Sequence, residues 1–529
     1  MSSIASVLDL NLTRSSIVSL LFVALLVAFI GAIVCRLYFH PLSKIPGPKL
    51  AALTEWYESY WDVVKRGQYT FEIGRMHERY GPIVRVGPNE VHINDPSFIE
   101  ELYVAGGKKR DKVDSYGPQF GTPDSVFGTA AHDIHRMRRG ALNQYFSKAS
   151  VTKLEPIIKQ VVDKLCDKLE LHAGTGKPII LSMAISCMTA DIVTEYSFAR
   201  SYNLLDSPTF EPNLHRAIVA GTDLAPFIKR FQWIMTLMKS LPDSIVEKIN
   251  PEMGVYLKFQ SDMKTQIEAI EEGKNTNYTN ARAHATIFHE LLNGDLPPTE
   301  KSLDRLWQEG QTIIGAGTET TAWSVSVAMF YILYTPGVLD RLSHELSKAT
   351  SGPMQLPDWN TLEQLPYMAG VVQECLRLSY GISTRLLRIS PDLPLYYRPN
   401  EKSYPGLTTT FEIPAGTPVG MTSTLVHNNP ELFPEPSVFK PERWVTSDGK
   451  INRQLAKYLL AFSRGSRQCL GINLAYAEMY MSIAAMTLRL GDRLKLFDTT
   501  LDDVEIHHDT IVPAPKMGSK GIRVVIEKA

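Results

Sequence analysis

Near its carboxyl end the chain reads Phe462-Ser463-Arg464-Gly465-Ser466-Arg467-Gln468-Cys469-Leu470-Gly471. This fits F-x-x-G-x-R-x-C-x-G at every fixed position. At average residue frequencies such a match has odds of roughly one in several thousand somewhere in a chain of this length. The remaining cysteines are Cys35, Cys166, Cys187 and Cys375. No two cysteines form a CxxC pair or a zinc-finger spacing, so neither a zinc module nor a disulfide framework is indicated. Those four read as small buried apolar residues. Of 529 residues, 44% are hydrophobic and 21% charged, as in an ordinary globular protein. The balance of 55 basic against 56 acidic residues leaves no nucleic-acid footprint. No Gly/Ser run, proline-rich spacer or repeat interrupts residues 50–529, which read as one domain.

The Phe462–Gly471 run resembles the cysteine loop of the cytochrome P450 family. The resemblance implies a mainly helical fold with small β-sheets. It also implies haem b with Cys469 as the axial ligand of its iron. A thiolate ligand pushes electron density onto iron and favours O–O cleavage. On this likeness Gly465 permits the tight turn that presents the sulfur, and amides from Gln468 to Gly471 hydrogen-bond it. Phe462 shields the sulfur, Arg467 pairs with a haem propionate, and Gly471 leaves room beside the porphyrin.

Residues Thr299 to Tyr334 read as one long helix, opened by Pro297-Pro298 and closed by Thr335-Pro336-Gly337. Its middle is Gly315-Ala316-Gly317-Thr318-Glu319-Thr320-Thr321. Two glycines inside a helix cost about 1 kcal/mol each relative to alanine. They are tolerated where a ligand approaches the backbone. Thr320 lies one turn after Ala316, so its hydroxyl can bond that carbonyl and open a groove. The stretch is similar to the family's A-G-x-[DE]-T-[TS] motif. That likeness gives Thr320 the role of steadying dioxygen and Glu319 that of relaying protons from solvent through water.

Glu374 and Arg377 share a helix face, and Pro441-Glu442-Arg443-Trp444 follows downstream. In the family such a pair and the later arginine, here Arg443, form a structural charge network. In the stretch His132–Arg139, His135 and Arg139 are spaced i and i+4 and are expected to face haem propionates. The family more often has Trp where His135 stands. Arg136 and Arg138 read as a solvated basic face, available to dock an acidic electron donor. Arg388 aligns with another propionate-binding arginine, with Arg385 as its alternative.

Residues 15–35 carry no charge and include Ile17, Leu20, Phe22, Leu25, Phe29 and Val34. About 20 such residues suffice to cross a bilayer as a helix. The run exceeds the apolar region of a cleaved signal peptide and reads as an anchor. Arg36, Lys44, Lys49, Lys65 and Arg66 follow it and only Arg14 precedes it, which places the body in the cytosol. Residues 1–14 are then lumenal, with Asn11 in a sequon open to glycosylation; the sequon at Asn277 reads as chance. Residues 36–49, with Pro41 and Ile45-Pro46-Gly47-Pro48, form a stiff hinge before the 50–529 catalytic domain.

The resemblance to P450 proteins implies a monooxygenase of the endoplasmic reticulum membrane. It would take electrons from NADPH through a separate NADPH-cytochrome reductase and act on a lipophilic small molecule. The opening Tyr38–Leu50 looks like that of fungal microsomal members, many of which tailor terpenoids, polyketides or alkaloids. The substrate wall is expected from Val113–Thr129, Gly381–Thr384 and Thr510–Pro513. Two other readings stand beside it. A haem-thiolate isomerase or dehydratase would need neither dioxygen nor reductase, and a haem sensor would need no proton relay. The Glu319-Thr320 pair argues against the isomerase or dehydratase, and reductase-dependent NADPH consumption with a bound substrate would separate all three.

Overall fold

A computed structural model describes residues 14–211, 214–242, 245–246, 248, 251–275, 286–350, 352 and 355–528. Asn11 and Asn277 lie outside them. The elements that frame the site are helices α1 (Arg14–Val34), α2 (His132–Asn143), α3 (Leu181–Phe198), α4 (His215–Arg230), α5 (Pro251–Glu271), α6 (Leu303–Tyr334), α7 (Pro366–Ser379) and α8 (Ile472–Arg489). The fold is mainly helical with small sheets. The largest sheet runs β1 (Ile83–Arg85), β2 (Val91–Ile93), β4 (Pro418–Gly420), β3 (Arg388–Ile389). Its β2–β4 pairing is parallel and the others antiparallel. A tight hairpin pairs β5 (His508–Thr510) with β6 (Val512–Ala514), leaving Ile511 alone at the turn.

Helix α6 begins at Leu303, not Thr299. Pro298–Lys301 form a 3-10 turn and Ser302 is extended, φ −60° and ψ 143°. The extended backbone at Ser302 interrupts the run, so α6 starts afresh after it. Apolar side chains all round α6 bury it at the centre of the main core, packed chiefly against α3. Thr335-Pro336 ends it, because proline offers no amide to the last turn.

The two glycines of α6 serve different faces. A side chain at Gly315 would meet nothing within 4 Å, which fits the expected ligand approach. At Gly317 it would lie 3.1 Å from Val193 of α3, so this glycine serves helix packing. The same contact carries a hydrogen bond from Thr189 Oγ1 to the Thr318 carbonyl, 2.8 Å.

Ile17–Phe39 is one continuous apolar helical stretch, long enough to cross a membrane, and no residue of its most apolar part is buried against the body. It includes the π-helical turn Cys35–Phe39, so Cys35 is exposed and not buried as its type suggested. The proline segment that follows is docked. Leu42 and Ile45 enter the core beneath the main sheet, and Arg85 donates its amide to the Pro46 carbonyl, 2.7 Å. Gly47 is needed there, since a side chain would strike the Arg85 carbonyl at 2.4 Å.

Candidate active site

The loop Phe462–Gly471 folds as a short turn ahead of α8. Gly465 sits at φ +73°, and an added Cβ would lie 2.4 Å from the carbonyl oxygens of Tyr103 and Val104. Only glycine fits there. The Cys469 amide donates to the Phe462 carbonyl, 2.9 Å, which closes the loop beneath the aromatic ring. Cys469 is enclosed deep in the protein yet keeps an exposed face. Burial pushes its thiol up; the Gly471 amide, bonded to the sulfur, and the charge of Arg139 oppose that. A side chain at Gly471 would meet nothing within 4 Å, so the protein itself makes no demand for glycine there.

Around this loop basic groups gather. Arg139 of α2 donates to the Gln468 carbonyl, 2.5 Å. Arg467 is held by the Thr129 carbonyl at 2.6 Å and by the Ala130 carbonyl. Arg388 reaches Ser463 Oγ at 3.2 Å and lies over the Tyr103 ring. Lys112, which the sequence did not single out, is buried with its ammonium on the Phe127 carbonyl, 2.9 Å. Burial first, and then Arg388, Arg467 and Arg139, push that ammonium well below its ordinary range. Burial and the neighbouring cations bring Arg467 down to about 10, with Asp111 opposing. His135 is pushed down to about 2 by burial and by Arg467, Lys112 and Arg139, so its imidazole is neutral. Five basic side chains thus turn toward one another, a costly arrangement unless an anion shares the space. Arg385, the alternative to Arg388, is elsewhere: it pairs with Glu58 at 2.5 Å and Glu90 at 2.6 Å.

On α6, the Thr320 hydroxyl donates to the Ala316 carbonyl, 2.7 Å, as the i−4 spacing predicted. The Glu319 carboxylate is not open to solvent: its side chain is 8% exposed and bonded to His215 of α4, 2.8 Å. Burying α6 against its neighbours removed the direct solvent route expected for it. Arg138 departs from a solvated face as well. It is paired with Glu300 at 2.8 Å beneath the start of α6, which leaves Arg136 as the exposed one of the two.

A cavity opens beside this turn of α6, with Gly315, Ala316, Glu319 and Thr320 forming one wall. All three expected stretches contribute to it, through Gln119, Phe120 and Phe127, through Ile382, and through Ile511 and Val512. Two walls were missed: α4, with Ala217, Ile218 and Gly221, and α5, with Met253, Tyr256 and Phe259. Both are amphipathic helices whose apolar faces look like ordinary core in sequence. Ile511 holds φ +80°, rare for a β-branched residue, and the Ser383 amide holds its carbonyl at 2.9 Å.

Behind the loop, Glu374 binds Arg377 at 2.8 Å and Arg443 at 3.0 Å, and takes the Trp444 indole N–H at 2.8 Å. Glu374 and Arg377 are wholly buried. Both carboxylate oxygens are engaged, which is what makes a buried ion pair tolerable.

A family profile described as Cytochrome P450 matches residues 56–490. The chain belongs to the cytochrome P450 family. It is 43% identical to the cytochrome P450 monooxygenase tpcC of Cochliobolus heterostrophus, over 99% of each chain. It is 40% identical to the tryptophan 6-hydroxylase fscE of Fusarium equiseti, over 93% of this chain and 94% of that one. Against the conidiogenone synthase PchP450 of Penicillium rubens it is 39% identical, over 94% and 96%. The protein is accordingly an oxidoreductase, a haem-thiolate monooxygenase. The residues present fit the P450 haem on three counts. These are a sulfur with an open face, a glycine at position 471 that nothing in the protein requires, and a cluster of cations suited to two propionates.

Proposed function

We propose that the chain inserts one oxygen atom of dioxygen into a C–H bond or alkene of a neutral, lipophilic small molecule. For a hydroxylation the balance is RH + O2 + 2 e− + 2 H+ → ROH + H2O, with electrons from NADPH through a separate NADPH-cytochrome reductase. Haem b, when bound through Cys469, supplies the oxygen-activating chemistry. Arg139, Arg388, Arg467, Lys112 and His135 hold its propionates, and Gly471 leaves it room. Thr320 holds a hydroxyl beside the local opening in α6, and Glu319 moves protons toward it. Glu374, Arg377 and Arg443 keep the loop's support rigid.

Among the described residues the one charged side chain lining the cavity is Glu319, already paired, so an uncharged substrate suits it better than an amino-acid carboxylate. Gln119, whose side-chain amide makes no protein hydrogen bond among the described residues, offers a contact for a substrate hydroxyl or carbonyl. Tailoring of a terpenoid, polyketide or alkaloid in fungal secondary metabolism follows from the likeness of the opening Tyr38–Leu50 to fungal microsomal members. The apolar helix Ile17–Phe39 and the basic residues after it favour a single-pass anchor in the endoplasmic reticulum with the body in the cytosol.

The single observation that carries this reading is the open-faced Cys469 thiol beside the cation cluster. Cys469→Ser tests it. The reduced CO complex of the variant is expected to lose the red-shifted Soret band of a thiolate-ligated haem, and its persistence would overturn the ligand assignment.

A further inference from the structure

Glu319 lies one residue before Thr320 and lines the cavity, yet its side chain is only 8% exposed. A carboxylate so enclosed can hand a proton inward only if another group supplies the next one. The group that reaches it is His215, whose Nδ1 lies 2.8 Å from Glu319 Oε2. A carboxylate only accepts, so Nδ1–H is the donor. His215 opens α4. Its side chain is 24% exposed, but it is not among the residues that line the cavity. Its next neighbour Arg216 is 59% exposed. The imidazole is thus partly exposed while its Nδ1 holds the buried carboxylate.

We propose that His215 positions Glu319 and passes it protons from solvent while dioxygen is reduced. The inference rests on the monooxygenase reading above. Solvent protonates Nε2; the Nδ1–H bond breaks as a bond forms between that proton and Glu319 Oε2. The imidazole is left neutral with its proton on Nε2; loss of that proton to solvent and uptake of another at Nδ1, through a flip of the ring, restores the Nδ1–H donor for the next transfer, and Glu319 gives its proton on toward Thr320. No electrons move in the step. The charges acting on His215 include Glu319 of α6 and Arg216 of its own helix, the latter paired with Glu211 at 2.6 Å. Burial pulls the imidazole down and Arg216 does so slightly; attraction and hydrogen bonding to Glu319 outweigh both. The net result is a value raised above the ordinary one, so the ring carries a proton more readily than a free imidazole and can still release it. A histidine poised there suits proton transfer better than the lysine or arginine that would serve a purely structural pair.

The test uses the full-length holoenzyme with reductase and the neutral terpene alcohol farnesol as a cavity-filling probe. His215→Asn can keep a hydrogen bond to Glu319 but cannot shuttle a proton; His215→Ala removes both. Each variant is expected to keep the reduced-CO Soret band, which establishes an intact haem site. NADPH-driven oxygen consumption should fall at least about tenfold in both, with a larger slowing in D2O than the wild type shows. Away from turnover, the His215 imidazole titration followed by NMR should move down in Glu319→Gln. An Asn variant with wild-type rate and isotope effect overturns the proposal, as does an imidazole titration that ignores Glu319→Gln. Thr320→Ala tells which reading has failed. If it disturbs oxygen reduction and His215→Asn does not, only the present inference falls; if neither does, the relay reading falls with it.

Discussion

His427 donates through Nδ1 to the carbonyl of Arg377, 2.9 Å away, and so ties the charge network of α7 to the cysteine loop. A carbonyl can only accept, so Nδ1 carries the proton, and Nε2 is free to take the Leu460 amide at 2.8 Å. Leu460 stands two residues before Phe462, where the loop begins. His427→Ala leaves two buried backbone groups without partners, at about 1–3 kcal/mol each. We expect a lower melting temperature and faster haem loss, read by thermal denaturation and by transfer of haem to apomyoglobin. Arg443→Ala, which leaves this link intact, should cost thermal stability with a smaller change in haem loss.

Lys112 gives a prediction of opposite sign for the two states of the protein. Its ammonium is buried among three arginines. Lys112→Met should leave the apoprotein equally or more stable, because an unfavourable buried charge is gone. The same variant should lose haem faster, because one propionate partner is missing. Apo and holo melting temperatures measured side by side check both halves.

Three buried histidines set a direction for pH dependence. His77 Nδ1 donates to the Gly81 carbonyl at 2.8 Å, so its Nε2 accepts from His92 Nδ1 at 2.7 Å, and His92 Nε2 accepts from Thr422 Oγ1 at 2.8 Å. With both rings neutral the chain closes without a buried charge. Burial pushes His77 down to about 4, His427 down to about 3, and His92 well below its ordinary value, helped there by the charge of His77. Folded values below the unfolded one mean that the stability is present above about pH 6.5 and is lost as pH falls toward 4. Melting temperature measured from pH 8 to 4 should drop mainly below 6.5, and His77→Gln should flatten that drop.

The glycines of α6 should separate in mutants. Gly315→Ala gains about 1 kcal/mol of helix preference with no clash, but adds a methyl to the cavity wall. Substrate-induced spectral binding should weaken while the melting temperature holds or rises. Gly317→Ala presses on Val193, and its melting temperature should lie below that of Gly315→Ala with binding less affected.

Removal of residues 1–36 should not fully release the protein from phospholipid vesicles. Phe39, Trp56 and Trp233 remain exposed at 77%, 60% and 62%, and the Trp56 ring lies 6.0 Å from Phe231. Aromatic side chains favour the membrane–water interface. Combining the deletion with Trp56→Ser and Trp233→Ser should shift the protein into the supernatant on vesicle sedimentation.

The parts of the site that lie in short contiguous runs were readable before any coordinates. Phe462–Gly471 and Ala316–Thr320 carry their geometry in local offsets, and the back-bond of Thr320 follows from helix spacing alone. Residues that act from a distance were not. Lys112 gains its role from Arg388 and Arg467, hundreds of residues away, and His215 from Glu319, 104 residues on. In sequence a lone histidine or lysine carries no sign of its partner. The choice between Arg385 and Arg388 turned on Glu58 and Glu90, which no nearby pattern announces. The start of α6 was misplaced because proline permits a helix to begin without saying which turn will be α-helical.

Arg85 does more than hold Pro46 to the sheet: its guanidinium also binds the carbonyl of Arg36, 2.9 Å, at the last turn of the anchor. The end of the apolar helix is thus joined to β1 by a side chain as well as by the intervening backbone, and if the helix crosses a membrane this contact would bear on how the body is held against it. Like a mast stepped in a hull, it would then set which flank of the protein meets the lipid. Exchanging it for a flexible leader would preserve attachment while letting the body roll, and so change which side greets a lipid-borne molecule.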